Sequence, residues 1–247
     1  MAYCGLHGLQ LLEGENAAML VDTGYGIEDV ADFMRHMTDL PLTVFLTHNH
    51  HDHAMGARCF PETYMLEADM ADWRMFTDDK MRRRVLTQAI GKNLPVDEKT
   101  FLAGEIPLPK VMKPGVIDLG GLTAEIIEAP GHTPGSAVVY VPERKLLLSG
   151  DDWNPCTWLF FPQALGLREY RSNMRGIQQL PFEKVLCPHR EALYDRWMFD
   201  DFFNALTDGN LRAAEPVNIA PYEQIDTCQA TLPHDQVLVF DWAKSGL

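Results

Sequence analysis

Cysteine pairs, long apolar runs and clustered basic charge are all scarce in this 247-residue chain, and each scarcity removes a class of protein. The five cysteines, Cys4, Cys59, Cys156, Cys187 and Cys228, are scattered without any Cys-x-x-Cys pair. Such spacing argues against a disulfide framework and against a thiolate zinc site, and it fits a reducing cytoplasm. No run approaches the about 18 apolar residues of a membrane span. The start, Met1-Ala2-Tyr3-Cys4-Gly5, lacks the basic and apolar regions of a signal peptide. A soluble, cytoplasmic protein with no membrane partner is therefore expected. Acidic residues outnumber basic ones 35 to 21, for a formal charge of -14 with histidines neutral, which disfavours a nucleic acid partner. The one basic run, Lys80-Met81-Arg82-Arg83-Arg84, reads as the solvated face of a helix, or alternatively as an anion-binding lid.

What is present is a globular composition, 46% hydrophobic, and a dense cluster of metal-capable side chains. Residues 47 to 53 read Thr-His-Asn-His-His-Asp-His, directly after the short apolar run Leu42 to Leu46. The run reads as a buried strand, so the cluster sits at a strand end. With Asn49 and His51 turned away, His48 and His50 share a side and can chelate one ion, while Asp52 and His53 fall where the chain bends. Imidazole and carboxylate suit zinc, with iron or manganese also compatible.

Upstream, Ala17 to Val21 reads as a strand that ends at Asp22-Thr23-Gly24, and Ile27, Val30, Phe33, Met34 and Met37 then follow helical spacing. Residues 67 to 91 read as helix, with Trp73 and Phe76 among many charges, and the proline-rich 95 to 114 as a covering loop. Further on, Ser136 to Val141 and Lys145 to Ser149 read as two strands joined by Pro142-Glu143-Arg144. Antiparallel pairing puts the residues entering the first strand beside those leaving the second. One hairpin thereby joins His132, in Pro-Gly-His-Thr-Pro-Gly, to Asp151, in Ser-Gly-Asp. Another apolar run, Lys184 to Cys187, ends at Pro188-His189, and the segment 196 to 208 offers Trp197, Met198, Phe202, Phe203 and Leu206 as a helical core face.

The ordered set His48-x-His50-x-Asp52-His53, His132, Asp151 and His189, with Asp22 in Val-Asp-Thr-Gly, resembles the metallo-β-lactamase superfamily over residues 17 to 189. The resemblance implies an α+β fold, an αββα sandwich with the metal site at one edge of two packed sheets. It also implies a single domain over residues 1–247, with 67–115 as a helical and loop insertion near the site. By the same likeness His48, His50 and His132 hold one metal, Asp52, His53 and His189 a second, and Asp151 bridges them, while Asp22 is structural. His50, where the oxygen-reducing branch has glutamate, points to the hydrolase branch and to two Zn2+, with Fe or Mn as alternatives. Two such ions, roughly 3.5 to 4 Å apart, lower the pKa of a shared water toward neutrality, and Asp52 is expected to orient that nucleophile and carry its proton.

The expected enzyme is a metal-dependent hydrolase of a small-molecule ester, thioester or lactone. A phosphodiester or phosphonate hydrolase with the same site, and a non-catalytic metal-binding scaffold, are the alternatives. Residues 190 to 247 show no counterpart of the basic helical domain of glyoxalase II, and Asn154 stands where related lactonases carry a tyrosine. Tyr194 and Trp153 are candidate substrate contacts. Trp153, Trp158, Phe160 and Phe161 read equally as core or as the wall of a substrate pocket. His7, His36, His51 and His234 match no motif position and read as ordinary hydrogen-bonded or surface side chains. The family usually has one more strand before residues 11 to 21; Gly5 to Leu12 is expected to supply it, or the last apolar run, Val237 to Trp242, to complete a sheet.

Overall fold

A computed structural model describes the backbone of residues 2–4 and 7–247 and the side chains from residue 8 onward. It shows a mixed α+β protein with several sheets, divided into two compact units, Met1–Ile126 and Ile127–Leu247. Among the described residues no helix is long and apolar enough to cross a membrane.

The first unit is built on six strands paired in chain order: β1 (Ala2–Cys4), β2 (His7–Glu13), β3 (Ala18–Val21), β4 (Leu42–Phe45), β5 (Tyr64–Met65) and β6 (Lys110–Val111). Strand β2 supplies the expected extra N-terminal strand, although Gly5, Leu6 and the side chain of His7 lie outside the described residues. The pairs β1/β2 and β2/β3 are antiparallel, and β3 to β6 are parallel. All four residues of β3 are buried, the pattern of a strand covered on both faces. Helix α1 (Val30–Met37) links β3 to β4; Asp29 caps it by accepting from the Asp32 amide at 3.0 Å, and Val30 and Met34 form its buried stripe.

After β4 come the short helix α2 (His51–Ala54) and, beyond β5, the helices α3 (Trp73–Thr77), α4 (Asp79–Gly91) and α5 (Glu98–Leu102). Trp73, Val85, Leu86 and Phe101 from these helices bury against Leu46, Ala54 and Met55 of the ligand-loop region. The covering loop expected over 95 to 114 thus contains a helix, α5, and Phe101 is its anchor.

Arg82 departs from the reading of residues 80–84 as a solvated face. It is buried, and its guanidinium donates to the carbonyls of Gly104 at 2.6 Å, Ala103 at 3.2 Å and Phe101. These are carbonyls at the open end of α5, which lack partners within the helix, and a five-donor side chain supplies them. The hairpin β7 (Gly115–Asp118) and β8 (Thr123–Glu128) ends the unit, its second strand running on across residue 126.

In the second unit four strands pair in the order β13-β12-β10-β9: β9 (Ala137–Val141), β10 (Leu146–Leu148), β12 (Lys184–Leu186) and β13 (Leu193–Asp195). The expected hairpin is there. Strands β9 and β10 are antiparallel through a 3-10 turn at Pro142–Arg144, closed by Lys145 at φ 45°. A separate sheet orders β11 (Cys156–Leu159), β16 (Gln236–Asp241), β15 (Thr227–Leu232) and β14 (Glu215–Pro216). The last apolar run completes this sheet, pairing with both β11 and β15.

Helices α6 (Leu167–Gln178) and α7 (Arg196–Ala205) bury Tyr170, Met174, Ile177, Phe199, Phe202 and Phe203. Phe199 takes the core place that helical spacing assigned to Trp197, which is half exposed and packs edge-on against His234 at 4.7 Å. Phe199, Phe202, Phe203 and Leu206 follow the tighter i, i+3, i+4, i+7 stripe. Helix α8 (Asp208–Arg212) follows, capped by Thr207, whose hydroxyl accepts from the Asn210 amide.

Candidate metal centre

Parallel register decides how the first unit presents its ligands. Val21 pairs with Phe45, so the chain leaves β3 and β4 side by side, and Asp22 comes to rest against Thr47. The Thr47 amide donates to Asp22 Oδ1 at 2.7 Å, and the Thr47 hydroxyl donates to the same carboxylate at 2.9 and 3.0 Å. Nδ1 of His48 lies 3.1 Å from that hydroxyl, and Nδ1 of His53 lies 2.8 Å from Asp22 Oδ2. One buried carboxylate thereby orients two histidines, His53 directly and His48 through Thr47. Donation from Nδ1 places the lone pair on Nε2, the tautomer a metal ligand needs.

Close backbone packing holds this arrangement. The amide and hydroxyl of Thr23 both donate to the carbonyl of His53, at 2.7 and 2.8 Å. Gly56 leaves room for that contact, since a Cβ there would stand 2.1 Å from the Thr23 carbonyl oxygen. The ring of His48 is 4.7 Å from that of His50 and 4.0 Å from that of His53, so three imidazoles crowd together.

Asn49 turns away from them, as expected, toward a partner that local spacing does not reveal. Its backbone amide donates to Asp69 Oδ2 at 3.1 Å and its side chain donates to the Asp69 carbonyl at 2.9 Å. Phe76 closes on His50 from α3, with ring centroids 4.5 Å apart. Asp52 lies half-buried in the first turn of α2. His51 packs edge-on against Tyr25 at 5.6 Å, and its Nδ1 is 3.7 Å from Asp52 Oδ1.

The second unit gathers its ligands from separate strand ends. Register Leu148↔Val139 returns the chain to the start of β9, and parallel pairing Leu148↔Leu186 brings the end of β12 alongside. Asp151 Oδ2 consequently lies 3.6 Å from His132 Nε2 and 3.0 Å from His189 Nε2. Nδ1 of His132 donates to the carbonyl of Trp158 at 2.6 Å, again directing Nε2 inward. Asp152 Oδ1 accepts from the His132 amide at 3.0 Å. Gly131 permits the turn, because a Cβ would meet the ring of Tyr170 at 2.4 Å.

Burial pushes the Cys187 thiol up to about 12. Trp153 is fully buried, its ring against Tyr194 at 5.4 Å and Phe199 at 5.6 Å, and it belongs to the core. Tyr194 is partly buried in β13, where burial raises its hydroxyl pKa. Asn154 builds the turn into β11: its Oδ1 accepts from the Cys156 amide at 2.8 Å.

His48, His50, Asp52 and His53 in one unit, and His132, Asp151 and His189 in the other, each offer one metal-capable atom. Imidazole nitrogens with carboxylate oxygens, the opposite ring nitrogens of His48, His53 and His132 held by hydroxyl, carboxylate and carbonyl, are the donor chemistry of a divalent first-row metal. His36 and His234 have other partners: His36 Nδ1 donates to the Asp32 carbonyl, and His234 Nε2 lies 2.9 Å from Asp201. Thr47, Asp69 and the Trp158 carbonyl escaped the sequence reading. Only Thr47, adjacent to the ligand run, carried a local signal.

A sequence model of the metallo-beta-lactamase superfamily matches residues 11–189, and the chain belongs to that superfamily. It is a metal-dependent hydrolase. The acyl-coenzyme A thioesterase MBLAC2 of Gallus gallus is 26% identical over 202 residues, which cover 72% of this chain and 70% of that protein. Among solved structures, TTHA1623 in a di-iron-bound form is 20% identical at TM-score 0.56, covering 81% of this chain and 96% of its own. The metallo-beta-lactamase family protein TTHA1429 from Thermus thermophilus is 18% identical at TM-score 0.58, covering 86% and 78%. These structural likenesses bear on the fold alone, and the fold is the α+β fold expected of the superfamily.

Proposed function

We propose that the chain hydrolyses thioesters of small carboxylic acids at a two-metal centre within one catalytic domain spanning residues 1–247. His48, His50 and His132 would hold one ion, Asp52, His53 and His189 the other, and Asp151 both. Zinc is the favoured metal for this imidazole-rich set, with iron or manganese as alternatives. Bound dications supply Lewis acidity and lower the pKa of a water toward about 7. The chain's own residues do the rest. Asp22 fixes the tautomers of His48 and His53, Asp152 fixes the backbone at His132, and Asp52 orients the attacking water and takes its proton.

The observation that carries this reading is the single oxygen, Asp151 Oδ2, on which His132 Nε2 and His189 Nε2 converge at 3.6 and 3.0 Å. The choice of thioester follows the curated relative. It is favoured over a lactone because Asn154, at the position of the lactonase tyrosine, is engaged in a backbone turn. A small-molecule substrate in the cytoplasm, without nucleic acid or membrane, suits the acidic surface and the free thiols of Cys59, Cys156, Cys187 and Cys228.

The test is metal analysis after zinc reconstitution, together with thioester, lactone and phosphodiester reporters assayed on the native chain and on Asp52→Ala. Two metals per chain and thioester cleavage lost in the variant are expected. Fewer than one metal per chain, or equal rates for both proteins, overturns the reading.

A further inference from the structure

The rings that follow Asp151 divide into two groups. Trp153 and Phe160 are fully buried, whereas Trp158, on the outward face of edge strand β11, keeps 38% of its surface exposed between buried Thr157 and Leu159. That exposed indole is tied to the ligand set through its own backbone, because the Trp158 carbonyl is the acceptor for His132 Nδ1. A continuous series of rings leads from the histidine to the indole. Phe161 stands edge-on to His132 at 5.4 Å and stacks with Phe160 at 4.7 Å, and Trp158 packs on Phe160 at 5.2 Å. Tyr222, from the loop after β14, seals the far side at 5.6 Å from Phe160 and 5.4 Å from Phe161. The backbone under these rings is fixed, since Lys244 Nζ donates to the carbonyls of Phe161, Pro162 and Ala164.

We infer that Trp158, with Phe161 and Tyr222, forms a subsite beside His132 for the acyl group of the substrate, and that it selects flat aromatic acyl groups over acetyl. The inference rests on the thioester reading above. The rings are apolar and rigid, and they offer edges and faces suited to offset or edge-on packing with another ring. Such a surface fits the uncharged acyl half of a thioester better than a thiol half that carries phosphates. Phe161 brings this surface edge-on against the ring of a proposed ligand histidine, within reach of an acyl group that extends from that site.

The test compares phenylacetyl and acetyl thioesters of one thiol, N-acetylcysteamine, on the full zinc-loaded chain, on Trp158→Ala and on Trp158→Phe. In parallel, 19F NMR measures binding of 4-fluorophenylacetate to the metal-free chain, which reads the subsite without turnover. The phenylacetyl-to-acetyl ratio of kcat/KM is expected to fall about tenfold in Trp158→Ala, the Kd of the fluorinated acid to rise about tenfold, and Trp158→Phe to restore most of both. Unchanged ratio and unchanged Kd in Trp158→Ala overturn the subsite. Trp158-dependent binding in a protein that cleaves no thioester overturns the thioester reading and leaves the aromatic subsite standing.

Discussion

In the first unit four ligand-type side chains fall between residues 48 and 53, and one carboxylate, Asp22, orients two of them. In the second, His132, Asp151 and His189 come from three strand ends, and each is placed by sheet register. The first arrangement is local and depends on side-chain hydrogen bonds. The second is distributed and depends on backbone pairing, with Asp151 at its focus. A local cluster should therefore be vulnerable to changes in its orienting carboxylate, and a distributed one to loss of the residue on which its members converge.

The largest expected effect tests that focus. Asp151→Ala should reduce turnover by at least about 10³-fold and abolish retention of one metal through gel filtration, since ligand loss removes several kcal/mol of charge stabilisation. Retention of native metal content by this variant would show that convergence on Asp151 is incidental. Next, Asp22→Asn should weaken metal affinity about 10- to 100-fold in a chelator competition, as changes to hydrogen-bond partners of ligands do. Asp152→Asn should weaken it less, because Asp152 Oδ1 meets a backbone amide and not an imidazole. Equal losses in the two variants would erase the distinction between side-chain and backbone placement.

A smaller effect is expected at Asp69. Asp69→Ala leaves the buried Asn49 amide without its carboxylate acceptor and should lower stability to urea by about 1–3 kcal/mol. Release of the ion proposed for His48 and His50, which flank Asn49, should quicken more than release of the other. The smallest concerns Tyr170 in the second unit, whose hydroxyl donates to the Asp152 carbonyl and whose pKa burial raises well above 10. A neutral form favoured by folding contributes stability that is complete below pH 10 and is lost as the pH rises toward the folded value. Tyr170→Phe should thus be slightly less stable at neutral pH but should show a flatter decline above pH 10, measured by denaturant melts across that range. An unchanged alkaline slope would mean that Tyr170 does not titrate with unfolding.

Readability of the sequence tracks the range of each interaction. The hairpin that joins His132 to Asp151 is visible because strand alternation and a Pro-Glu-Arg turn are local patterns, and antiparallel geometry follows from them. Asp69 and Phe76 stayed hidden. They meet Asn49 and His50 only after an insertion of several short helices folds back, and no spacing rule encodes that return. Arg82 was hidden for a related reason, since a basic run looks solvated until the open carbonyls of a neighbouring helix end are seen to need its donors. Trp197 and Phe199 sit two positions apart on α7, and helical periodicity alone allows a stripe through either one. Packing chose Phe199.

By itself the sequence determined the candidate ligand types, their order along the chain, the strand ends that carry them and hence the superfamily, because those depend on residue chemistry and short-range periodicity. Only the tertiary structure decided which atoms orient the candidate ligands, since Asp22 reaches Thr47 through parallel register and the Trp158 carbonyl reaches His132 from a separate sheet. Tertiary structure also decided which aromatic residues enter the core. Trp153 and Trp158 are five residues apart and chemically identical; one is sealed among Tyr194 and Phe199, and the other stands partly open on an edge strand while its carbonyl meets His132. Solvent exclusion is a property of surrounding surfaces, which distant segments of the chain supply.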